Sequence, residues 1–120
     1  MVKAYEIATD KYIIVSPQDN IFQCAKLMGN SLKKYTVVME NDKVLGIVLG
    51  LDIVKKLVNG EITEHIKAKD MMTTLTEMNK NMELNDVIRK MVEKKTSQVL
   101  INNKIIDKDI LLEYIYLKKK

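Results

Sequence analysis

Internal repetition constrains the fold of this chain more than any other feature. The apolar stripe Ile21, Cys24, Ala25, Met28 recurs 63 residues later as Leu84, Val87, Ile88, Met91. Asp52-Ile53-Val54 with Leu57-Val58 recurs 57 residues later as Asp109-Ile110-Leu111 with Tyr114-Ile115, so the second copy reads six residues shorter between its two helices. A repeat of this length is a supersecondary unit that cannot bury its apolar face alone, and two copies pack on one another. The expectation is a pseudo-twofold protein with related clefts between its halves, where ligands tend to sit.

Each copy reads β-α-β-β-α. Lys11-Tyr12-Ile13-Ile14-Val15 is a short buried strand, and the turn over residues 16–20 supplies caps for a helix over 21–30, which Gly29-Asn30 closes. Tyr35-Thr36-Val37-Val38-Met39 and Val44-Leu45-Gly46-Ile47-Val48-Leu49 form a hairpin around Asn41-Asp42, after which Asp52 caps a second helix ending at Asn59-Gly60. The linker over 61–69 places Ile62 and Ile66 at helical spacing. The order then repeats: Met71-Met72-Thr73, a strand near 75–78, a helix over 84–94, and a strand over 98–101. The turn Asn102-Asn103, the strand stub Lys104-Ile105-Ile106 and a last helix opened by Asp109 complete it. The fold class is α+β, with two small sheets packed together and helices outside. The division is 1–60 for the first repeat, 61–69 for the linker, and 70–120 for the second repeat with its Lys118-Lys119-Lys120 tail.

Composition narrows the functional classes. Apolar residues make 47% and charged residues 30%, values of a soluble globular chain. No apolar run approaches the roughly 20 residues of a membrane span, and Met1-Val2-Lys3-Ala4 opens no signal peptide. A single cysteine makes no internal disulfide, so the expected compartment is the cytoplasm. The net charge of +4 divides into +2 for residues 1–60 and +2 for 61–120, whereas a dedicated nucleic-acid module concentrates its basicity. Cys24 lies on the apolar stripe and reads as core, as do Met71, Met72, Met78, Met82 and Met91; His65 has no neighbour with which to hold a metal. With no Gly-rich phosphate loop, no Ser-His-Asp grouping and no paired carboxylates at catalytic spacing, neither an enzyme nor a cofactor or metal site is expected.

The order of elements, with an Asp opening the second helix, resembles the CBS domain, and two copies in tandem look like a CBS pair (a Bateman module). The resemblance covers about residues 8–117. It is carried by Ile13-Ile14-Val15-Ser16-Pro17, by Leu45-Gly46-Ile47-Val48 followed by Asp52, and by Lys69-Asp70-Met71-Met72-Thr73 at the junction. It implies a sensor of adenine-containing ligands such as AMP, ADP, ATP, S-adenosylmethionine or NAD. The family pattern runs Gly, two apolar residues, Ser or Thr, two variable residues, Asp. Gly46, Ile47, Val48, Gly50, Leu51 and Asp52 fit it, while Leu49 stands at the hydroxyl position. In the second copy Asp109 stands at the carboxylate position, Ile106 at the hydroxyl position and Asn103 where the Gly belongs.

The candidate ligand residues are therefore Asp52, Gly50, Leu49, Tyr35, Thr36, Lys34 and Asp109. A carboxylate accepts two hydrogen bonds from a vicinal diol, which suits Asp52 and Asp109 to a ribose. Tyr35 and Thr36 offer a ring face and a hydroxyl to a purine, and Lys33 or Lys34 reaches a phosphate. The expected protein is a stand-alone regulatory module binding an adenosine-type ligand between its repeats. The wide apolar surface of the last helix implies a homodimer. The competing expectation is a protein-interaction or weak nucleic-acid-binding module with degenerate nucleotide sites.

Overall fold

The computed structural model describes residues 1–118, so Lys119 and Lys120 of the basic tail lie outside the described residues. The elements run α1 (Ala4–Ile7), β1 (Ile14–Val15), α2 (Ile21–Ser31), β2 (Tyr35–Glu40), β3 (Lys43–Leu49) and α3 (Gly50–Val58). They continue α4 (Ala68–Met71), α5 (Leu84–Lys94), β4 (Gln98–Ile101), β5 (Lys104–Asp107) and α6 (Lys108–Lys118). These α+β elements form two compact units. One spans Lys11–Thr74, and the other joins Met1–Asp10 to the chain from Leu75 onward.

In the Lys11–Thr74 unit, β1 lies parallel to β2 and β3 returns antiparallel. Val15, Val38 and Val48 from the sheet meet Ile21, Cys24 and Met28 of α2, Ile53 of α3, and Ala68 and Met71 of α4 in one core. Helix α2 begins where Asn20 caps it, its side-chain oxygen accepting the Phe22 N–H at 2.6 Å. It does not close at Gly29-Asn30. It runs to Ser31 and ends in a left-handed Leu32. Packing of Met28 and Leu27 keeps this turn helical and outweighs the roughly 1 kcal/mol helical cost of glycine.

The second unit is built on the same plan with less sheet. Its β4–β5 hairpin is two-stranded, and the strand expected near 75–78 reduces to one parallel bridge between Glu77 and Leu100. Helix α5 occupies Leu84–Lys94 and buries Leu84, Val87 and Met91 against Met78, Val99, Ile101, Ile106 and Ala4.

Ala4 belongs to a further repeat. Lys3-Ala4-Tyr5-Glu6-Ile7-Ala8-Thr9 recurs 64 residues later as Lys67-Ala68-Lys69-Asp70-Met71-Met72-Thr73. In both, the acidic side chain turns back to the backbone N–H of the lysine (Glu6 to Lys3 at 2.7 Å, Asp70 to Lys67 at 2.9 Å) and opens a one-turn helix. Each segment docks on the other copy. Ala4 N–H donates to the Met82 carbonyl at 2.8 Å and Thr9 bridges Ile105, while Ala68 N–H donates to the Asp19 carbonyl at 2.8 Å and Thr73 bridges Ile47. The structural division therefore departs from 1–60, 61–69 and 70–120: the first ten residues join the second repeat, and the linker with 70–74 joins the first. The physical reason is that Ala4 and Ala68, each 0% exposed, fill the core of the unit they dock on.

Candidate ligand site

Folding brings Lys34, Tyr35, Thr36, Leu49, Gly50 and Asp52 together at one end of the β2–β3 hairpin. Tyr35 pairs with Leu49 and Thr36 with Val48, and the Gly50 N–H donates to the Lys34 carbonyl at 2.9 Å. A Cβ at position 50 would lie 3.3 Å from the Lys34 carbonyl oxygen and 3.5 Å from Met28 Sδ, so the close backbone approach favours glycine. Helix α3 starts at this glycine. Its N-cap is Leu49, which contributes no side-chain cap.

Asp52 is therefore not the cap expected from the sequence. It is the third residue of α3, where its negative charge is favoured by the helix dipole. The carboxylate is half-buried and makes no hydrogen bond or ion pair among the described residues. Both oxygens are thus open to an incoming donor pair. Thr36 is different: it is 0% exposed, its hydroxyl oxygen has no hydrogen-bond partner, and it lies beside the buried Cys24. Burial pushes the Cys24 thiol up. Thr36 therefore turns its hydroxyl into the core, and no part of the residue is exposed at this site, contrary to its expected role toward a purine. Tyr35 is half-buried and Lys34 exposed.

Asp109 lies in the other unit, and the structure moves it off the position the repeat assigned. The turns at Asn41-Asp42 and Asn102-Asn103 each hold two residues at positive φ, the two-residue hairpin turn favoured by Asn and Asp. Counting from those turns, the second hairpin lacks two residue pairs and the bulged residue, Leu45. It is thus five residues shorter, rather than six. Lys108 N–H donates to the Ser97 carbonyl at 3.0 Å, the counterpart of the Gly50 contact with Lys34. Leu49 corresponds to Asp107, Leu51 to Asp109, and Asp52 to Ile110. Asp107, whose Oδ1 accepts the Ile110 N–H at 2.8 Å, caps α6. Asp109 is exposed, one residue past the helix start, and engaged in an interaction. The shared Asp-Ile pair had drawn the sequence comparison one residue out of register, and Asp107 and Ile110 were missed. Counting residues from the two Asn-rich turns was the available signal, but the bulge that makes the difference odd leaves no mark in sequence.

Residues 4–59 match the family model of the CBS domain. Over that segment the chain carries a CBS domain. Among curated proteins, none matches it significantly. An uncharacterized conserved protein from Pyrococcus horikoshii is similar at 26% identity and a TM-score of 0.80, over 95% of this chain and 92% of that one. CBSX2, solved with AMP, matches at 15% identity and a TM-score of 0.79 over 100% of both chains. The CBS domain pair of protein MJ0100, solved with 5′-methylthioadenosine and S-adenosyl-L-methionine, matches at 18% identity and a TM-score of 0.78, over 100% of this chain and 99% of that one. At the latter identities the likeness is one of fold, and it extends through both repeats. Among the described residues, no helix is long and apolar enough to cross a membrane.

Proposed function

We propose that this protein is a non-catalytic, cytoplasmic regulatory module that binds an adenosine-type ligand at the site around Asp52. One observation carries the reading: an unpaired, half-buried carboxylate in the first turn of α3, beside a glycine that admits close backbone approach. Such a carboxylate takes both hydroxyls of a ribose. The adenosine-type ligands held by CBSX2 and by the MJ0100 pair support the ligand class. Leu49 supplies no hydroxyl to a phosphate, so the favoured ligand carries little negative charge there, as adenosine or S-adenosylmethionine does. The other unit places Ile110 where Asp52 stands and Asp107 where Leu49 stands, so it offers a ribose no matching carboxylate and a phosphate a like charge. The two sites are accordingly unequal. A second copy of the chain is the expected partner, covering exposed Leu112, Ile115, Tyr116 and Leu117 on α6.

Titration calorimetry with AMP, ATP and S-adenosylmethionine tests this. Asp52→Ala removes two charge-assisted hydrogen bonds and weakens binding by roughly tenfold or more, whereas Asp109→Ala leaves it unchanged. Leu49→Thr improves AMP and ATP relative to S-adenosylmethionine. Equal losses from the two aspartate variants would refute the asymmetry, and no binding of any adenosine compound would refute the function.

A further inference from the structure

The shortened hairpin has a consequence at its tip, the end away from the residues that correspond to the Asp52 site. Two missing pairs and a missing bulge leave a hollow of about 440 Å³ there, lined by Tyr5, Lys80, Asn81, Ile101, Asn102 and Lys104. The size falls in the ordinary range of small-molecule sites. We propose that this hollow is an anion site that takes the phosphate group of a small phosphorylated metabolite.

The lining is selective in charge. Its residues are two lysines, two asparagines, a tyrosine and an isoleucine, and none of them is acidic. Neither Lys80 nor Lys104 has an ion-pair or hydrogen-bond partner for its side chain among the described residues, although the chain carries 16 acidic residues. Buried Ile101, 1% exposed, forms the apolar floor. The walls are held from several directions. Tyr5 is fixed on α1 by its N–H bond to the Lys80 carbonyl at 3.0 Å, and the Asn81 N–H is tied to Asn79 Oδ1 at 2.7 Å. Asn102 is set by its positive φ in the hairpin turn, which also orients Lys104 on the first residue of β5.

The first copy shows why the feature is confined to the second. The Tyr5–Lys80 hydrogen bond has its counterpart in the Lys69 N–H and the Pro17 carbonyl at 3.0 Å, so Pro17 stands for Lys80 and Gln18 for Asn81. Gln18 is occupied by Lys67 Nζ at 2.9 Å, and Gly46 corresponds to Lys104. The longer hairpin there buries Val44 and packs Leu45 on the core. Only the second copy therefore combines a truncated tip with two free lysines. Lysine binds phosphate as a point charge, and two of them with flanking amide donors match a tetrahedral dianion. The inference does not rest on the Asp52 site.

Two-dimensional NMR of the full chain, titrated with sodium phosphate at low ionic strength against sodium chloride of equal ionic strength, tests it. Phosphate is expected to shift the Asn81, Asn102 and Lys104 amides saturably with a dissociation constant on the order of 1 mM. Lys80→Gln or Lys104→Gln should each weaken it about two- to fivefold, and the pair about tenfold, as screened ion pairs do. Lys80 and Lys104 are both exposed, so these variants fold. Asp52→Ala should leave the phosphate response intact, which separates it from the adenosine site. Shifts that chloride reproduces, or that survive the double substitution, would overturn the proposal.

Discussion

Replacing Gly46 with alanine tests how tightly the α4 segment is held against the first hairpin. A Cβ built at position 46 would sit 2.6 Å from the Thr73 carbonyl oxygen and 3.2 Å from its carbonyl carbon. Both are backbone atoms, so no side chain can swing aside. Thr73 is pinned by reciprocal hydrogen bonds with Ile47 at 2.9 and 2.7 Å. Accommodating the methyl group requires the 67–73 segment to lift. Losing those two bonds costs about 0.5–1.5 kcal/mol each, and overpacking adds about 1–3 kcal/mol, for a total of roughly 2–6 kcal/mol. For a chain of this size, each kcal/mol moves the melting temperature by about 3–6 °C, so the loss is at least about 6 °C. The molecule contains its own control. Lys104 pairs with Ile101 at the corresponding place and carries a side chain beside the Ile105–Thr9 bridge, so Lys104→Ala should stay within about 0.5 kcal/mol. Calorimetry of both variants, with amide exchange at Ile47 and Thr73, reads the difference. A Gly46→Ala protein that melts within about 2 °C of the parent, with Thr73 still protected, would refute the close-approach reasoning.

Thr36→Val removes a buried hydroxyl without a hydrogen-bond partner and keeps its shape, so stability should rise by about 1 kcal/mol while affinity for an adenosine ligand is unchanged. Denaturant unfolding that shows a loss instead would mean the hydroxyl is satisfied. Deleting residues 1–10 strips Ala4, Val2, Ile7 and Ala8 from the core of the second unit together with the Ala4–Met82 and Thr9–Ile105 hydrogen bonds. Stability should fall by roughly 3 kcal/mol or more, with amide protection lost first in α5 and β4. Protection lost only within residues 11–74 would contradict the docking.

Much of the fold was legible because it depends on neighbours in sequence. The stripe Leu84, Val87, Met91 gave α5 its limits, since helical periodicity needs only a buried face on one side. Asn41-Asp42 and Asn102-Asn103 announced their turns because these residue types tolerate positive φ. The site was partly legible for the same reason: Tyr35, Leu49, Gly50 and Asp52 come from one hairpin and the helix that follows it.

By itself, then, the sequence determined the tandem repeat, the identity and order of most elements, the hairpin turns and the cluster around Asp52. Tertiary structure alone decided three things. It sent the segment around Ala4 to the second repeat, because alanine at 0% exposure is chosen by the shape of the core that receives it. It buried the Thr36 hydroxyl against Cys24, because the pleat and the position of α2 set which strand face is sealed. It gave Ile110 rather than Asp109 the position in the second repeat equivalent to Asp52, because a single bulged residue, Leu45, changes the register of everything after it, and strand pairing is a long-range contact that local residue preferences do not encode.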